Sequence, residues 1–411
     1  MKKNKIILCS FLIFYIYFFR GTYIGLNSTI SGWLTNGCFL LLAVLLWNSY
    51  KHFWDKEYRV LNLAVLGYCV VSILSVEKNI DYINSLNVLD NEGFYITGQQ
   101  SAKSVVYSSI GLVMSALFIE RLVKWGKVNL LLKTLLVCIG ILLIFVDIDA
   151  LQHIVINDDI EGYLIGNKFN VCYLNLYFCA IYYMLHPKLD GFSKYWLLVF
   201  LAILVIVSAH TQCSTTIVGA LTFIVLVFLV HGRFKKTLSR PVPMLIALLV
   251  CDVAFFFFST WFLQFDFIQD FIVNVLHEDM TLTGRLGIYL NIQDAFDESP
   301  WIGYGIGNSG IISRMYTGAY DAQNGMVDMF LQVGIVGCLL YVFILFMLFK
   351  QIRDRYECVF PTVVLVYSVI IISMVEIPFK HVFLLLSFFL LIKESLNSKG
   401  DTVTSHFPKL K

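Results

Sequence analysis

Apolar residues run through the chain in long stretches that short charged segments separate. A helix that crosses a bilayer needs about 20 predominantly apolar residues. The stretches predict twelve such helices, at residues 6–19, 28–47, 60–76, 104–119, 130–150, 169–185, 195–210, 214–230, 243–262, 325–349, 358–375 and 379–392. The predicted fold class is therefore an all-α polytopic integral membrane protein with about 12 transmembrane helices. Bulky Tyr15, Tyr17 and Phe19 stand where a cleavable leader has small residues, so we expect the first helix to be retained.

The connections between these helices differ in length, and three long ones, 77–103, 151–168 and 263–324, alternate with short ones. In the longest, apolar residues recur at helical spacing, which predicts two amphipathic helices near the membrane surface, one before the turn at Thr283-Gly284 and one ending at Pro300. The apolar residues of the first are Phe265, Ile268, Phe271, Ile272 and Val275, and those of the second are Leu286, Tyr289, Ile292 and Phe296. One integrated membrane domain is expected, made of residues 1–262 with nine helices, the large loop 263–324, residues 325–392 with three helices, and a tail at 393–411.

Basic residues assign a side to each connection, because cytoplasmic loops collect Lys and Arg. Of the 30 basic residues, 23 fall on the side of both termini. The other seven are Arg20, Lys78, Lys103, Lys168, Arg285, Arg314 and Lys380. We therefore expect a multi-pass protein of a bacterial cytoplasmic membrane with both termini inside and its active face, with the long loops, outside.

Composition narrows the function. The chain is 58% apolar and 14% charged, whereas soluble domains have about 25% charged residues, so a soluble enzyme is excluded. The net charge of +2 predicts no nucleic-acid partner. Its ten cysteines are scattered singly, and neither they nor the histidines have the spacing of a metal site. We predict no metal and no cofactor.

The few cations of the acidic outer face are candidates for binding phosphate, since guanidinium suits bidentate phosphate contacts and Lys adds a compact charge. Arg285, Arg314 and Lys168 are the candidates. The alternative is that each pairs with a nearby acid or anchors a helix at the lipid headgroups. For Glu376 we expect a structural ion pair with Lys380, four residues on.

Glycines at alternating positions follow the second loop helix, at Gly303, Gly305 and Gly307. Such glycines permit tight turns and a close approach of the backbone to a ligand. An alternative is that they only form a flexible return to the next span. The sequence leaves both interpretations open.

Short motifs occur in a fixed order along the outer connections: Thr283-Gly284-Arg285, Ser299-Pro300-Trp301-Ile302-Gly303-Tyr304-Gly305, Gln323-Asn324 and Gly334-Ile335-Val336-Gly337. Earlier come Ile165-Gly166-Asn167-Lys168-Phe169-Asn170 and Thr211-Gln212-Cys213-Ser214-Thr215-Thr216. In order and spacing they resemble the O-antigen polymerase and ligase superfamily of bacterial membrane glycosyltransferases. Two positions depart from the family pattern, because Gln323 stands where His is frequent and Phe169 interrupts a Gly-Asn-Lys-Asn element.

The resemblance implies a metal-independent transfer of a glycan from undecaprenyl pyrophosphate, at the outer leaflet, to another lipid-linked repeat unit. In this reaction we expect Arg285 to stabilise the leaving pyrophosphate and Asn324 to orient a sugar hydroxyl or a phosphate oxygen. Among the outer carboxylates we choose Asp321 as the general base, because it lies beside Gln323-Asn324. Further contacts to pyrophosphate or glycan are expected from Lys168, Arg314, Asn167, Asn170, Gly303 and Gly305.

The expected function is an oligosaccharide repeat unit polymerase for a capsular or O-antigen-type polysaccharide. Its expected partners are the lipid-linked donor and acceptor, the bilayer and further assembly proteins such as a flippase or a chain-length regulator. A ligase that uses the same donor chemistry is the nearest rival function, and Gln323 favours the polymerase. Two more distant functions also stay open, a lipid-linked oligosaccharide flippase or transporter and a noncatalytic assembly partner.

Overall fold

The computed structural model describes residues 2–19, 28–86, 101–152, 161–262, 265, 269, 285–352 and 355–392. Its α-helices are α1 Lys3–Tyr17, α2 Ser28–Leu46, α3 Arg59–Ser85, α4 Ala102–Lys124, α5 Val128–Gln152, α6 Lys168–Leu185, α7 Gly191–His210, α8 Ser214–Phe228, α9 Arg233–Leu238, α10 Pro241–Leu248, α11 Phe255–Phe262, α12 Arg285–Asn291, α13 Ala295–Glu298, α14 Ser309–Thr317, α15 Gly325–Lys350, α16 Tyr356–Ile372 and α17 His381–Ser387. Shorter elements are the 3₁₀ segments Trp47–His52, Ile292–Asp294 and Phe388–Leu391, the π-helical turn Leu249–Ala254, and an antiparallel pair of strands, β1 Glu161–Tyr163 and β2 Gly166–Asn167.

A helix lies at each of the twelve predicted spans, and the all-α polytopic membrane class is confirmed. Among the described residues, seven helices are long and apolar enough to cross a membrane: Ile30–His52, Arg59–Ser85, Ala102–Lys124, Val128–Gln152, Gly191–His210, Pro241–Ser259 and Gly325–Lys350. Ser214–Phe228, Tyr356–Ile372 and His381–Leu391 are apolar but shorter. The number of twelve spans and the side of each loop stay predictions.

Helix α16 lies at the centre of the bundle. It packs against α6 and α8, and residues on all of its faces are buried. An apolar helix that is buried all round is a core helix, since no side of it needs to face solvent. The turn that follows it is buried or half-buried over residues 373–379, and Lys380 at its end is exposed.

Helix α15 is broken at Gly334, where φ is +63° and ψ is −171°. The break frees backbone groups that the motif segment satisfies: Tyr304 N donates to Leu331 O and Gly305 N to Gln332 O, at 2.7 and 2.9 Å. In the other direction, Pro300 O and Trp301 O accept from Ile335 N and Val336 N, at 2.9 and 3.1 Å. Irregular backbone at membrane depth is tolerated when protein groups pair with it, as they do here.

The large loop is partly helical, as far as it is described. Its second predicted helix is confirmed but comes in three pieces, α12, the 3₁₀ segment and α13, which end before Pro300. Tyr289, Ile292 and Ala295 on this path are buried in a cluster with Ile312 and Leu331. The segment 285–298 therefore packs onto α14 and α15. The first predicted helix, the turn at Thr283-Gly284 and the tail 393–411 lie outside the described residues.

Candidate functional site

Arg285 is the first residue of α12, and its guanidinium binds two other segments. Arg285 Nε donates to Gln323 Oε1 at 2.9 Å, and Arg285 Nη2 pairs with Glu376 Oε1 at 3.4 Å. The side chains of Arg285 and Glu376 are 13% and 5% exposed, so solvent screens the pair weakly. The predicted cation thus lies in a protected site with a carboxylate already beside it.

Gln323 is held in a conformation that non-glycine residues avoid. Its φ is 50°, in the left-handed region. Gln323 N donates to Asp321 Oδ1 at 3.2 Å, and the Tyr289 hydroxyl lies 2.7 Å from Gln323 O and 3.0 Å from Met374 O and donates between them. Contacts to three segments therefore fix the position of the side chain that Arg285 binds.

Asn324 caps the N-terminus of α15. Its Oδ1 accepts from Met326 N and Val327 N at 3.1 and 3.0 Å, and its Nδ2 donates to Asp252 O and Met374 O at 3.3 and 3.2 Å. The residue is fully buried, and Asp252 belongs to the π-helical turn before α11. These contacts give Asn324 a positioning role for Gln323. The predicted contact with substrate stays a prediction.

A second cation lies at the start of α6. Asn167 caps this helix, with Oδ1 accepting from Asn170 N at 2.9 Å, and Lys168 is 8% exposed. Lys168 Nζ donates to Gln212 O at 3.3 Å, in the turn between α7 and α8. Gln212 has a φ of 51°, so it shares the left-handed conformation of Gln323.

The two cation sites are joined through residues 373–380. Lys380 Nζ donates to Asn170 Oδ1 at 3.3 Å, and the charge of Lys380 acts on Glu376 and Asp321 together with that of Arg285. Glu376 in turn lies within electrostatic reach of Tyr173 on α6 and of Cys213 beside Gln212. The three groups of motifs, near 165–170, 211–216 and 285–324, thus meet around one turn.

Burial dominates the titration of the two carboxylates. It raises the pKa of Glu376 to about 8, although Arg285 and Lys380 act in the opposite direction. Burial also raises the pKa of Asp321, against the hydrogen bonds with Gln323 and the same two cations. Both groups therefore hold protons more strongly than exposed carboxylates do, as groups in chemical sites often do.

The predicted direct pair of Glu376 with Lys380 stays a prediction. Helix α16 ends at Ile372, so residues 373–380 are not helical, and the charge of Lys380 acts on Glu376 across this turn. Glu376 pairs with Arg285, which is 91 positions away, and Lys380 binds Asn170. Arg314, at the end of α14, stacks on Tyr320 with its guanidinium carbon 4.3 Å from the ring centroid.

The glycines of the motif segment pack against two helices. A Cβ on Gly303, where φ is +65°, would lie 2.6 Å from the backbone of Gln332 and Val333 on α15. At Gly305, where φ is +106°, it would lie 3.0 Å from the Cα of Val76 on α3. The structure thus explains Gly303 by its packing against the broken helix and Gly305 by its packing against α3. Their predicted contact with substrate, like that of Arg314, stays a prediction.

Sequence reasoning missed Lys380 as a member of the site, Tyr289 as the residue that ties the segments together, and the contact of Glu376 with Arg285. The signal for Lys380 was present, because it is one of the seven outer cations. Among the described residues, no group of three or more His, Cys, Asp or Glu side chains is placed to hold a metal ion.

Residues 197–342 match the family model described as O-antigen ligase. The matched segment runs from α7 into α15 and includes Gln212, Arg285 and Gln323. No curated protein and no solved structure matches the chain.

Proposed function

We propose that this chain joins lipid-linked oligosaccharide repeat units into a polysaccharide, because residues 197–342 match the family model described as O-antigen ligase and the motifs resemble the O-antigen polymerase and ligase superfamily. The donor is a glycan on undecaprenyl pyrophosphate, and the acceptor is a hydroxyl of a second lipid-linked repeat unit. The reaction takes place at the outer leaflet of a bacterial cytoplasmic membrane, and the product is of the capsular or O-antigen type.

The observation that carries the proposal is the convergence of cations at one turn. Arg285 and Lys380 come from two segments and both act on Glu376, and Lys380 Nζ donates to Asn170 Oδ1, two residues after Lys168. Lys168 and Arg285 are each bound to a glutamine with left-handed backbone, and strained residues cluster at functional sites because only a well-packed surrounding structure can hold them. A diphosphate needs several such donors within a small volume.

The chemistry follows from the charges. The bond between the anomeric carbon and a phosphate oxygen breaks, a bond from the acceptor oxygen to that carbon forms, and the lipid pyrophosphate leaves with the bonding electrons. Negative charge grows on the leaving oxygen, and a preorganised donor there lowers the barrier by roughly 3 to 4 kcal/mol. Arg285 is that donor, with Lys168 and Arg314 as further phosphate ligands, and the transfer is metal-independent.

Asp321 takes the proton of the acceptor hydroxyl. Burial raises the pKa of Asp321, which makes its carboxylate a stronger base than an exposed one. Asp321 Oδ1 accepts from Gln323 N, and the side chain of Gln323 binds Arg285. The Asp321 carboxylate is therefore close to the substrate that Arg285 binds. Asn167, Asn170 and Asn324 orient the glycan and the phosphates, with Gly303 and Gly305 at the edge of the site.

Transfer of a finished chain to a different acceptor is the second candidate, because the matching family model is described as O-antigen ligase. The donor chemistry of a ligase is the same. The two activities differ in the acceptor, so they differ in whether single repeat units or long lipid-linked chains accumulate when the protein is lost.

The test is the glycan profile of cells that lack the protein, complemented with wild type, Arg285→Ala or Arg240→Ala. Arg240 is the matched control, an arginine on the predicted inner side. If the protein is a polymerase, cells with Arg285→Ala at normal membrane levels should show no polysaccharide ladder and should accumulate a single repeat unit on lipid. Long chains that remain on the carrier would mean a ligase, and an intact ladder with Arg285→Ala would contradict both.

A further inference from the structure

The anion that Arg285 binds in this structure is part of the protein. Glu376 Oε1 lies 3.4 Å from Arg285 Nη2, and both side chains are largely buried. Carboxylate and phosphate oxygens bind guanidinium in the same way, through N–H donors of the planar fork. Glu376 therefore holds a position on Arg285 that a phosphate of the donor needs.

The charges around Glu376 balance one another within the protein. Arg285 on α12 and Lys380 on the same turn are the cations that act on Glu376, and Asp321 is the nearby acid. Tyr173 on α6, Tyr289 on α12 and Cys213 after α7 also face it. When both carboxylates are ionised, two cations and two carboxylates sum to zero, so a diphosphate with two negative charges makes the site strongly negative unless a carboxylate gives up its charge.

We propose that Glu376 is an internal counter-ion, which the diphosphate of the donor replaces on Arg285, and that Glu376 takes up one proton from solvent in the exchange. No covalent bond of the donor is made or broken in this step, and the proton moves from water to a carboxylate oxygen. The inference rests on the proposed donor chemistry and adds a proton-coupled binding step to it.

Contact with Arg285 also argues against Glu376 as the general base. When the acceptor hydroxyl attacks the anomeric carbon from the face opposite to the leaving group, the base lies on that opposite face, where it reaches the hydroxyl. A side chain that touches the cation of the leaving pyrophosphate lies on the leaving side. The counter-ion role uses the observed contact, whereas a role as base would need it to be broken and the carboxylate moved.

The exchange has a defined pH dependence. Burial raises the pKa of Glu376 to about 8, and the donor binds the form in which Glu376 is protonated. Near pH 7 most molecules already have that form, and at pH 9 only about a tenth do. Since an apparent Kd rises as the competent fraction falls, binding weakens about tenfold from pH 7 to pH 9.

The experiment measures calorimetric binding of a short prenyl-diphosphoryl sugar to the purified full chain between pH 6 and pH 9. Each phosphate of this probe has one ester bond and one anhydride bond, so it lacks the second ionisation near pH 6 and its charge stays constant. Buffers of different ionisation enthalpy give the number of protons taken up. We expect uptake to approach one proton at pH 9 and to be small at pH 6.

Glu376→Gln separates this role from a structural one. The variant should bind the probe with little dependence on pH and about tenfold more tightly than wild type at pH 9. Weaker binding at every pH would mean that Glu376 only supports the fold, and would overturn the inference. Glu298→Gln is the control, because Glu298 is an outer carboxylate bonded to Tyr82, and it should keep the wild-type pH dependence.

Failure of the two proposals can be told apart. If wild type and Arg285→Ala both fail to bind the probe at any pH, the donor chemistry is wrong and this inference falls with it. If wild type binds through Arg285 with no proton uptake, only the inference falls. Should Glu376→Gln not fold, the proton uptake of wild type still decides.

Discussion

Gln212 and Gln323 have the same left-handed backbone conformation, with φ of 51° and 50°, and each accepts a hydrogen bond from a cation. They are the two non-glycine residues with positive φ among the described ranges. This conformation costs a non-glycine residue about 1 to 2 kcal/mol. Both residues that adopt it bind a predicted phosphate-binding cation, which favours a functional reason for both turns.

Gln323 allows stability and activity to be separated. Gln323→Gly relieves the left-handed strain but adds freedom to the unfolded chain, so we expect the free energy of unfolding to change by no more than about 1 kcal/mol. Activity should fall, because Arg285 loses the amide that orients it.

Gln323→Asn is the matched variant, since Asn tolerates the conformation and keeps an amide on a shorter side chain. Thermal unfolding in detergent and the glycan ladder measure the two effects. A stable Gln323→Gly protein with a normal ladder would contradict the role.

Lys380 connects two parts of the candidate site. Its Nζ donates to Asn170 Oδ1, and its charge acts on Glu376, the partner of Arg285. Because Lys380 is exposed, water screens it and its contribution should be smaller than that of Arg285. We expect Lys380→Ala to lower polymer synthesis about tenfold and Lys380→Arg to retain most of it. Lys78→Ala, at an exposed position of α3, serves as the control. Equal activity of Lys380→Ala and Lys78→Ala in membranes with equal amounts of protein would remove Lys380 from the site.

Sequence predicted the class of fold and the residues of three motif groups, because hydropathy and charge are local properties of the chain. It predicted that the second loop helix ends at Pro300, and the last helical piece, α13, ends at Glu298. It did not predict how the groups meet. The contacts of Arg285 with Glu376 and of Asn170 with Lys380 join residues 91 and 210 positions apart. No periodicity of the chain encodes such pairings.

The contact of Glu376 with Arg285 was missed for the same reason. A spacing of four residues relies on a helix, whereas the turn after Ile372 is not helical and lets Glu376 reach Arg285. The break of α15 at Gly334 was hidden for a different reason, since a glycine within an apolar stretch leaves the hydropathy of a span almost unchanged. Its cause is the backbone pairing with residues 300–305, which follows from tertiary structure.

Gly334 tests that pairing. A Cβ there would lie 2.4 Å from the backbone of Trp301 and Ile302, at a φ of +63°. Strain and overlap together should cost Gly334→Ala more than about 3 kcal/mol, so little folded protein should reach the membrane. In Gly37→Ala, where a Cβ meets nothing within 4 Å, abundance should stay normal. Immunoblots of membranes and size-exclusion profiles measure both. A well-folded Gly334→Ala protein would show that the break is not required.

Glu376 also links stability to pH. Its pKa is raised by burial from 4.5 to about 8 in the folded chain. Between these two values the folded state keeps a proton that the unfolded state releases, so the contribution to stability is full below about pH 4.5 and is lost as pH rises through 8. Glu376→Gln removes this dependence because its amide does not titrate. We therefore expect the Tm of wild type, relative to Glu376→Gln, to fall steadily from pH 5 to pH 9, with the variant the more stable at pH 9. Glu298→Gln, measured in the same buffers, should follow wild type. If Glu376→Gln were the less stable protein at pH 9, the ion pair with Arg285 would outweigh the cost of burying the carboxylate.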